Sequence, residues 1–152
     1  KVKFLIIGDG ASKSDLLDRA QKEQLNNIKF ISNISWQEIV NLNQVIDMHL
    51  VHLIDNPEFK KVIPSKIFES MALRKPIIMG VLGESRDIVI KAKCGININP
   101  DNHNELNDAI NKYIDTPQAL KEIGDNGYSF LTKHYSRKKL ANKMIESIQS
   151  II

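Results

Sequence analysis

Short runs of Ile, Val and Leu alternate with amphipathic stretches almost from end to end of this chain. Residues 2–7, 28–32, 45–53, 77–81 and 96–98 read as strands, and their nearly continuous apolar character is that of a parallel sheet buried on both faces. Between them, residues 14–25, 35–42, 65–74 and 85–93 carry apolar side chains at helical spacing, several opening on a serine suited to cap a first turn. This alternation predicts an α/β fold, a doubly wound parallel sheet with right-handed crossovers. After Pro100 the pattern becomes wholly helical: residues 104–115, then a helix from Thr116-Pro117 towards Tyr135, then one from Ser136 to the C-terminus. Proline suits a first helical position, where its missing N–H is not needed. With no repeat, low-complexity tract or linker, residues 1–152 are expected to form one domain.

Composition changes this picture little. At 152 residues, 42% hydrophobic and 26% charged, the chain suits one α/β core. A net charge of +3, with Lys and Arg scattered, gives no basic face for nucleic acid. The apolar runs are far too short to span a membrane, no signal peptide is expected, and a single cysteine, Cys94, allows no internal disulfide. Beside Gly95 at the head of a strand, Cys94 reads as a small buried hydrophobe, and a cytoplasmic setting is expected.

The chemistry concentrates in residues 62–84. Pro64 and Ser65 open a helix whose first-turn amides lack helical partners, and Lys66 adds a cation there. Free amides and the positive end of the helix dipole can hold a diphosphate without a metal. Ile67, Phe68, Met71 and Ala72 form the buried stripe, which leaves Ser65, Lys66 and Glu69 to face a cleft. Arg74-Lys75-Pro76 ends the helix, because a residue before proline is pushed out of the helical region. A strand follows, and Gly83-Glu84-Ser85 turns the chain into the next helix. The Glu69 carboxylate, one turn in, is suited to accept two hydrogen bonds from a ribose diol. On a helix taken alone, such a glutamate is more often a solvated side chain.

Other motifs are weaker. Gly8-Asp9-Gly10 follows a strand, but Lys13 stands where a dinucleotide fingerprint needs its third glycine, so the pair reads as a turn beside a cleft. His49 and His52, three apart on one strand, point to opposite faces and cannot chelate one metal; His103 and His134 are distant in sequence. Either strand histidine is expected to be structural, with a cleft-facing place at the strand's C-terminal end as the alternative. No Asp-x-Asp occurs, which suits diphosphate held by amides and basic side chains. No Gly-x-Ser-x-Gly elbow supports a hydrolase. Trp36 reads as packing on a sheet edge, with stacking on a base as the alternative.

Pro-Ser-Lys-Ile-Phe-Glu-x-Met-Ala-x-x-Lys-Pro-Ile-Ile, then Gly-Glu-Ser, then Cys-Gly-Ile-Asn-Ile-Asn-Pro at 94–100, resembles the donor-binding half of family 4 retaining glycosyltransferases of the GT-B type. The likeness is strongest to the branch that builds bacterial surface polysaccharides, which also carries a segment like Asp55-Asn56-Pro57-Glu58-Phe59. It extends over nearly the whole chain, and the Glu69 helix is its specific part. The resemblance implies that Glu69 binds the nucleotide ribose, that Ser65 and Lys66 meet the diphosphate with Lys66 in the catalytic role, and that Gly83 and Glu84 approach the donor sugar. Gly8 and Gly10 would border the nucleotide, and the backbone at Asn33-Ile34 would meet a uracil base. Many members carry a second Glu eight residues before the ribose-binding one; here that position is Lys61.

The same resemblance implies a nucleotide-sugar donor, UDP-linked, with no cofactor or metal. A glycan or lipid-linked acceptor would be bound by a separate N-terminal domain, at a cytoplasmic place peripheral to the inner membrane. Relatives place one more strand, a Gly-Arg loop and a Lys-bearing helix before the Gly-Asp-Gly strand. That strand would lie centrally, between those at 2–7 and 45–53, so the sheet is expected to close the gap or borrow a strand. The final helix of relatives crosses to the N-terminal domain; the stripe of Leu140, Met144, Ile148 and Ile151 would be covered there, and self-association of the isolated chain is expected. Two other functions fit the architecture: a UDP-sugar 2-epimerase, for which no proton-transferring carboxylates and histidines are evident, and a non-catalytic α/β module that binds a protein partner.

Overall fold

The computed structural model describes residues 2–114 and 116–151. Its elements are β1 (Phe4–Ile7), α1 (Lys13–Lys22), β2 (Ile28–Ile31), α2 (Trp36–Leu42), β3 (His49–His52), a short 3-10 helix (Pro57–Lys61), α3 (Ser65–Ala72), β4 (Ile77–Gly80), α4 (Glu84–Ala92), β5 (Gly95–Asn97), α5 (His103–Ile114), α6 (Pro117–His134) and α7 (Arg137–Gln149). Asp115 and Ile152, the expected ends of two helices, and Lys1 lie outside the described residues. The chain divides into two compact units, Lys1–Val45 and Ile46–Ile152.

In the first unit β1 and β2 pair in parallel, from Phe4 opposite Ile28 to Ile7 opposite Ile31, with α1 as the connection. Its apolar side chains are only partly covered: Leu16, Leu17 and Leu25 are exposed, and no hydrophobic residue of this unit is among the fully buried core. The start of α2 is well fixed. Ser35 Oγ accepts the Glu38 amide at 3.3 Å while the Glu38 carboxylate accepts the Ser35 amide at 2.8 Å, a reciprocal capping box. Trp36, the first residue of α2, is 59% exposed, so the expected packing on a sheet edge is not what it does.

The second unit holds a three-stranded parallel sheet in the order β3-β4-β5. All four residues of central β4 are buried, as its unbroken Ile-Ile-Met-Gly run requires. Alternation along β4 splits the core between two faces. Ile77 and Met79 join Ile67 and Met71 of α3, Val89 of α4 and Cys94. Ile78 joins Ile98, with Ala109 and Tyr113 of α5, on the other. Helices thus cover both faces, the doubly wound arrangement expected for this part of the chain. Cys94 is fully buried and its thiol is pushed up to about 12 by burial, in keeping with a hydrophobe's role. Helix α6 lies close against α3 because Gly124 has no Cβ; one built there would overlap the Arg74 carbonyl. Arg74, in the left-handed conformation that ends α3, stacks its guanidinium 3.8 Å from the Tyr128 ring centroid and pairs with Asp125 at 2.5 Å.

Several local expectations are corrected. The strand expected over 45–53 is only His49–His52, because the amides of Gln44 and Val45 are taken by the last carbonyls of α2, at Asn41 and Leu42, and the chain is still turning there. Most serines expected as caps are not caps. Pro64 occupies that position in α3 and Gly83 in α4; Ser12, not Ser14, precedes α1, and it makes no side-chain bond. Thr116 does cap α6 by position, yet its hydroxyl donates back to the Lys112 carbonyl at 2.9 Å. Among the described residues, β1 pairs with β2 in one sheet, and β3, β4 and β5 form the other. Leu140, Met144, Ile148 and Ile151 of the C-terminal segment are exposed.

Candidate functional site

Because β3, β4 and β5 are parallel, the loops that follow them, 53–64, 81–83 and 98–102, leave one rim of the second unit's sheet. Open α/β sheets bind ligands at this carboxyl rim. Helix α3 begins here, after the proline cap at Pro64 (φ −62°, ψ 131°), with no side chain closing its first turn. The Ile67 amide already bonds the Pro64 carbonyl at 3.1 Å. The amides of Ser65 and Lys66, at the first two helical positions, have no acceptor within the helix. Lys66 is exposed beside them, and Glu69, one turn further, is half-buried. The Ser65 hydroxyl donates to Glu69 Oε1 at 2.9 Å.

A second helix start is tied to the first. Ser85, fully buried near the beginning of α4, donates its hydroxyl to the Val62 carbonyl at 2.6 Å, two residues before Pro64. Gly83, the cap of α4, has φ 78° and ψ −148°, a conformation that glycine alone adopts readily. A Cβ built there would overlap the Lys60 carbonyl oxygen and lie 3.0 Å from the carbonyl carbon. The 3-10 helix therefore rests directly on the α4 start, and Gly83 and Glu84 stay exposed next to it. Lys61 is held loosely by Glu58 at 3.4 Å.

The rest of the rim is laced by a cluster of which the sequence offered only His52, as an alternative to a purely structural role. His52, at the end of β3, lies over Gly80 and accepts the Asp101 amide on Nε2 at 3.0 Å. Asp101, itself at φ 58°, accepts the Asp55 amide at 3.1 Å. The loops after β3 and β5 are joined in this way. The only sequence signal was a histidine three residues before Asp55, because a contact 49 residues away leaves no local pattern. His49 is at the other end of β3, so its expected alternative place near the cleft does not apply. Its Nδ1 meets Ser70 Oγ at 2.7 Å, and Ser70 gives its one hydroxyl hydrogen to the Lys66 carbonyl, which makes His49 Nδ1 the donor. Burial first, then Lys75 and Lys66, hold the His49 imidazole below its ordinary value, against an opposing pull from Glu69.

In the first unit, the parallel pairing of β1 and β2 places Gly8, Gly10 and Ile34 at one rim. Gly8 has φ 143°. The residue that organises this rim is Asp9, which the glycines around it had overshadowed. Its carboxylate accepts Lys13 Nζ at 2.5 Å and the Asn33 amide at 2.7 Å, and Lys13 also reaches Ser32 Oγ at 3.0 Å. Those bonds, that of Lys13 foremost, hold the Asp9 carboxyl below the usual carboxylate range. The position that lacks a fingerprint glycine is thus filled by a lysine that ties two loops together. Among the described residues no three His, Cys, Asp or Glu side chains are grouped as metal ligands, and no helix is long and apolar enough to cross a membrane.

A parallel α/β sheet whose carboxyl rim carries two helix starts, with a carboxylate one turn into the first, frames the candidate site. The chain matches the family described as Glycosyl transferases group 1 over residues 1–130, and it belongs to that family. It is 26% identical over 136 residues to an uncharacterised glycosyltransferase of Methanocaldococcus jannaschii, a match covering 90% of this chain and 37% of the relative. Its fold is that of part of several solved glycosyltransferase structures of the GT-B kind. Anabaena HepE in complex with UDP-glucose superimposes with a TM-score of 0.80 at 21% identity, covering 98% of this chain and 41% of that one. Sucrose-phosphate synthase from Thermosynechococcus elongatus gives 0.78 at 19% identity, covering 97% and 38%. The chain therefore spans well under half the length of these proteins.

Proposed function

We propose that this chain is the donor-binding part of a family 4 retaining glycosyltransferase of the surface-polysaccharide branch, taking a UDP-linked sugar. The observation that carries the reading is the α3 start: two amides without helical acceptors, the Lys66 cation, and the half-buried Glu69 carboxylate one turn on. The amides and Lys66 would receive the diphosphate, and Glu69 the ribose diol. Gly83 and Glu84, carried on the α4 start that Ser85 binds to Val62, would face the sugar. The solved complexes of similar fold with UDP-glucose and with UDP support a uridine nucleotide as the donor's carrier.

Transfer in such a site needs the leaving diphosphate to be stabilised as the glycosidic bond breaks. Fixed amides and a lysine do this without reorganising, which makes electrostatic stabilisation the largest contribution. We take the acceptor to be a glycan or lipid-linked sugar bound by a further domain, the setting to be cytoplasmic and peripheral to the membrane, and binding to be independent of metal. Glu69→Ala tests the reading by calorimetry with UDP. A hydrogen-bonded charged group contributes about 1.5–3 kcal/mol, so affinity should fall roughly ten- to a hundredfold. Unchanged affinity would overturn the assignment of Glu69.

A further inference from the structure

We infer that Ser65 is a positioning residue for Glu69 and that its hydroxyl does not hold phosphate. This rests on the donor-site reading above and changes the part Ser65 plays in it. A serine hydroxyl has one hydrogen. Here it is donated to Glu69 Oε1 at 2.9 Å, across one helical turn. Phosphate oxygens accept hydrogen bonds and do not donate them, so a hydroxyl whose hydrogen is already given to a carboxylate has nothing to offer a diphosphate. The backbone amide of Ser65 remains available for the anion, and the side chain serves the carboxylate instead.

The benefit is to pre-organisation. A glutamate side chain turns about three bonds, and freezing it on binding opposes affinity. The i to i+4 bond holds one carboxylate oxygen against the helix before ligand arrives and leaves the second oxygen for the diol. Residues four apart lie on one helix face, so the pair needs no distortion of α3. Ser70, at the opposite end of the helix, shows that the two serines are not equivalent: its hydroxyl goes to the Lys66 carbonyl and it is buried.

The test compares UDP with 2′,3′-dideoxyuridine diphosphate, which lacks the diol, in calorimetric titrations of the full chain and of Ser65→Ala, Ser65→Thr, Glu69→Ala and the Ser65→Ala/Glu69→Ala double variant. Ser65→Ala should weaken UDP about three- to tenfold, the size of one net hydrogen bond, and leave the dideoxy nucleotide unchanged. Ser65→Thr, which keeps the hydroxyl, should restore UDP affinity. Adding Ser65→Ala to Glu69→Ala should cost nothing more. Equal weakening of both nucleotides, a further loss in the double variant, or no loss in Ser65→Ala would overturn the inference while leaving the donor site standing. If Glu69→Ala binds UDP as tightly as the unaltered chain, or the chain binds no UDP, the donor-site reading fails and the inference fails with it.

Discussion

Replacing Gly83 by alanine should be among the most damaging single-methyl changes this protein can suffer. Two costs combine. The backbone at φ 78° and ψ −148° lies in a region open essentially to glycine, where another residue is strained by about 1–3 kcal/mol. The new Cβ would also overlap the Lys60 carbonyl oxygen and lie 3.2 Å from Lys60 Cα. These are backbone atoms of the 3-10 helix, so no side-chain rotation relieves the overlap, and forced displacement typically costs a further 1–3 kcal/mol or so. Together the loss is about 2–6 kcal/mol, a large share of a domain's stability. Gly10→Ala is the control: nothing lies within 4 Å of a Cβ there. Urea unfolding followed by circular dichroism gives both values. A Gly83→Ala midpoint indistinguishable from that of the unaltered chain would refute the close contact between the 3-10 helix and the start of α4.

Two more consequences follow from burial and charge. The His49 imidazole titrates below its ordinary value when folded, so the unfolded chain binds more protons between the two values, and stability should fall as pH drops below about 6.5. His49→Gln should flatten that slope in melts between pH 7.5 and 5; an unchanged slope would show that another group carries it. The amides of β1 and β2 should exchange hydrogen faster than those of β4, because the first unit has no fully buried apolar side chain whereas all of β4 is buried. Equal protection of the two sheets would mean that the first unit is covered by a partner in solution.

The fold was legible where it depended on local pattern. Ile77, Ile78 and Met79 form an apolar run that only a strand buried on both faces explains, and Ile67 with Met71 marks the inner face of α3. The caps were less legible, because Ser65 and Ser85 look like capping residues in sequence but are spent on Glu69 and on Val62. The contacts that organise the rims join residues far apart: Asp9 to Asn33, His52 to Asp101, Gly83 to Lys60. Nothing in the residues near Gly83 announces the carbonyl it must accommodate. Glu69 stood out because its motif is contiguous, from Pro64 to Pro76.

The central claim is that the start of α3 holds the donor's nucleotide. Titrating UDP into the ¹⁵N-labelled chain and following each amide by NMR tests it most directly. The account predicts that Ser65, Lys66 and Glu69 shift together along one saturable curve, unchanged by magnesium or chelator. Saturable shifts confined to other parts of the chain, with the α3 start unmoved, would contradict it.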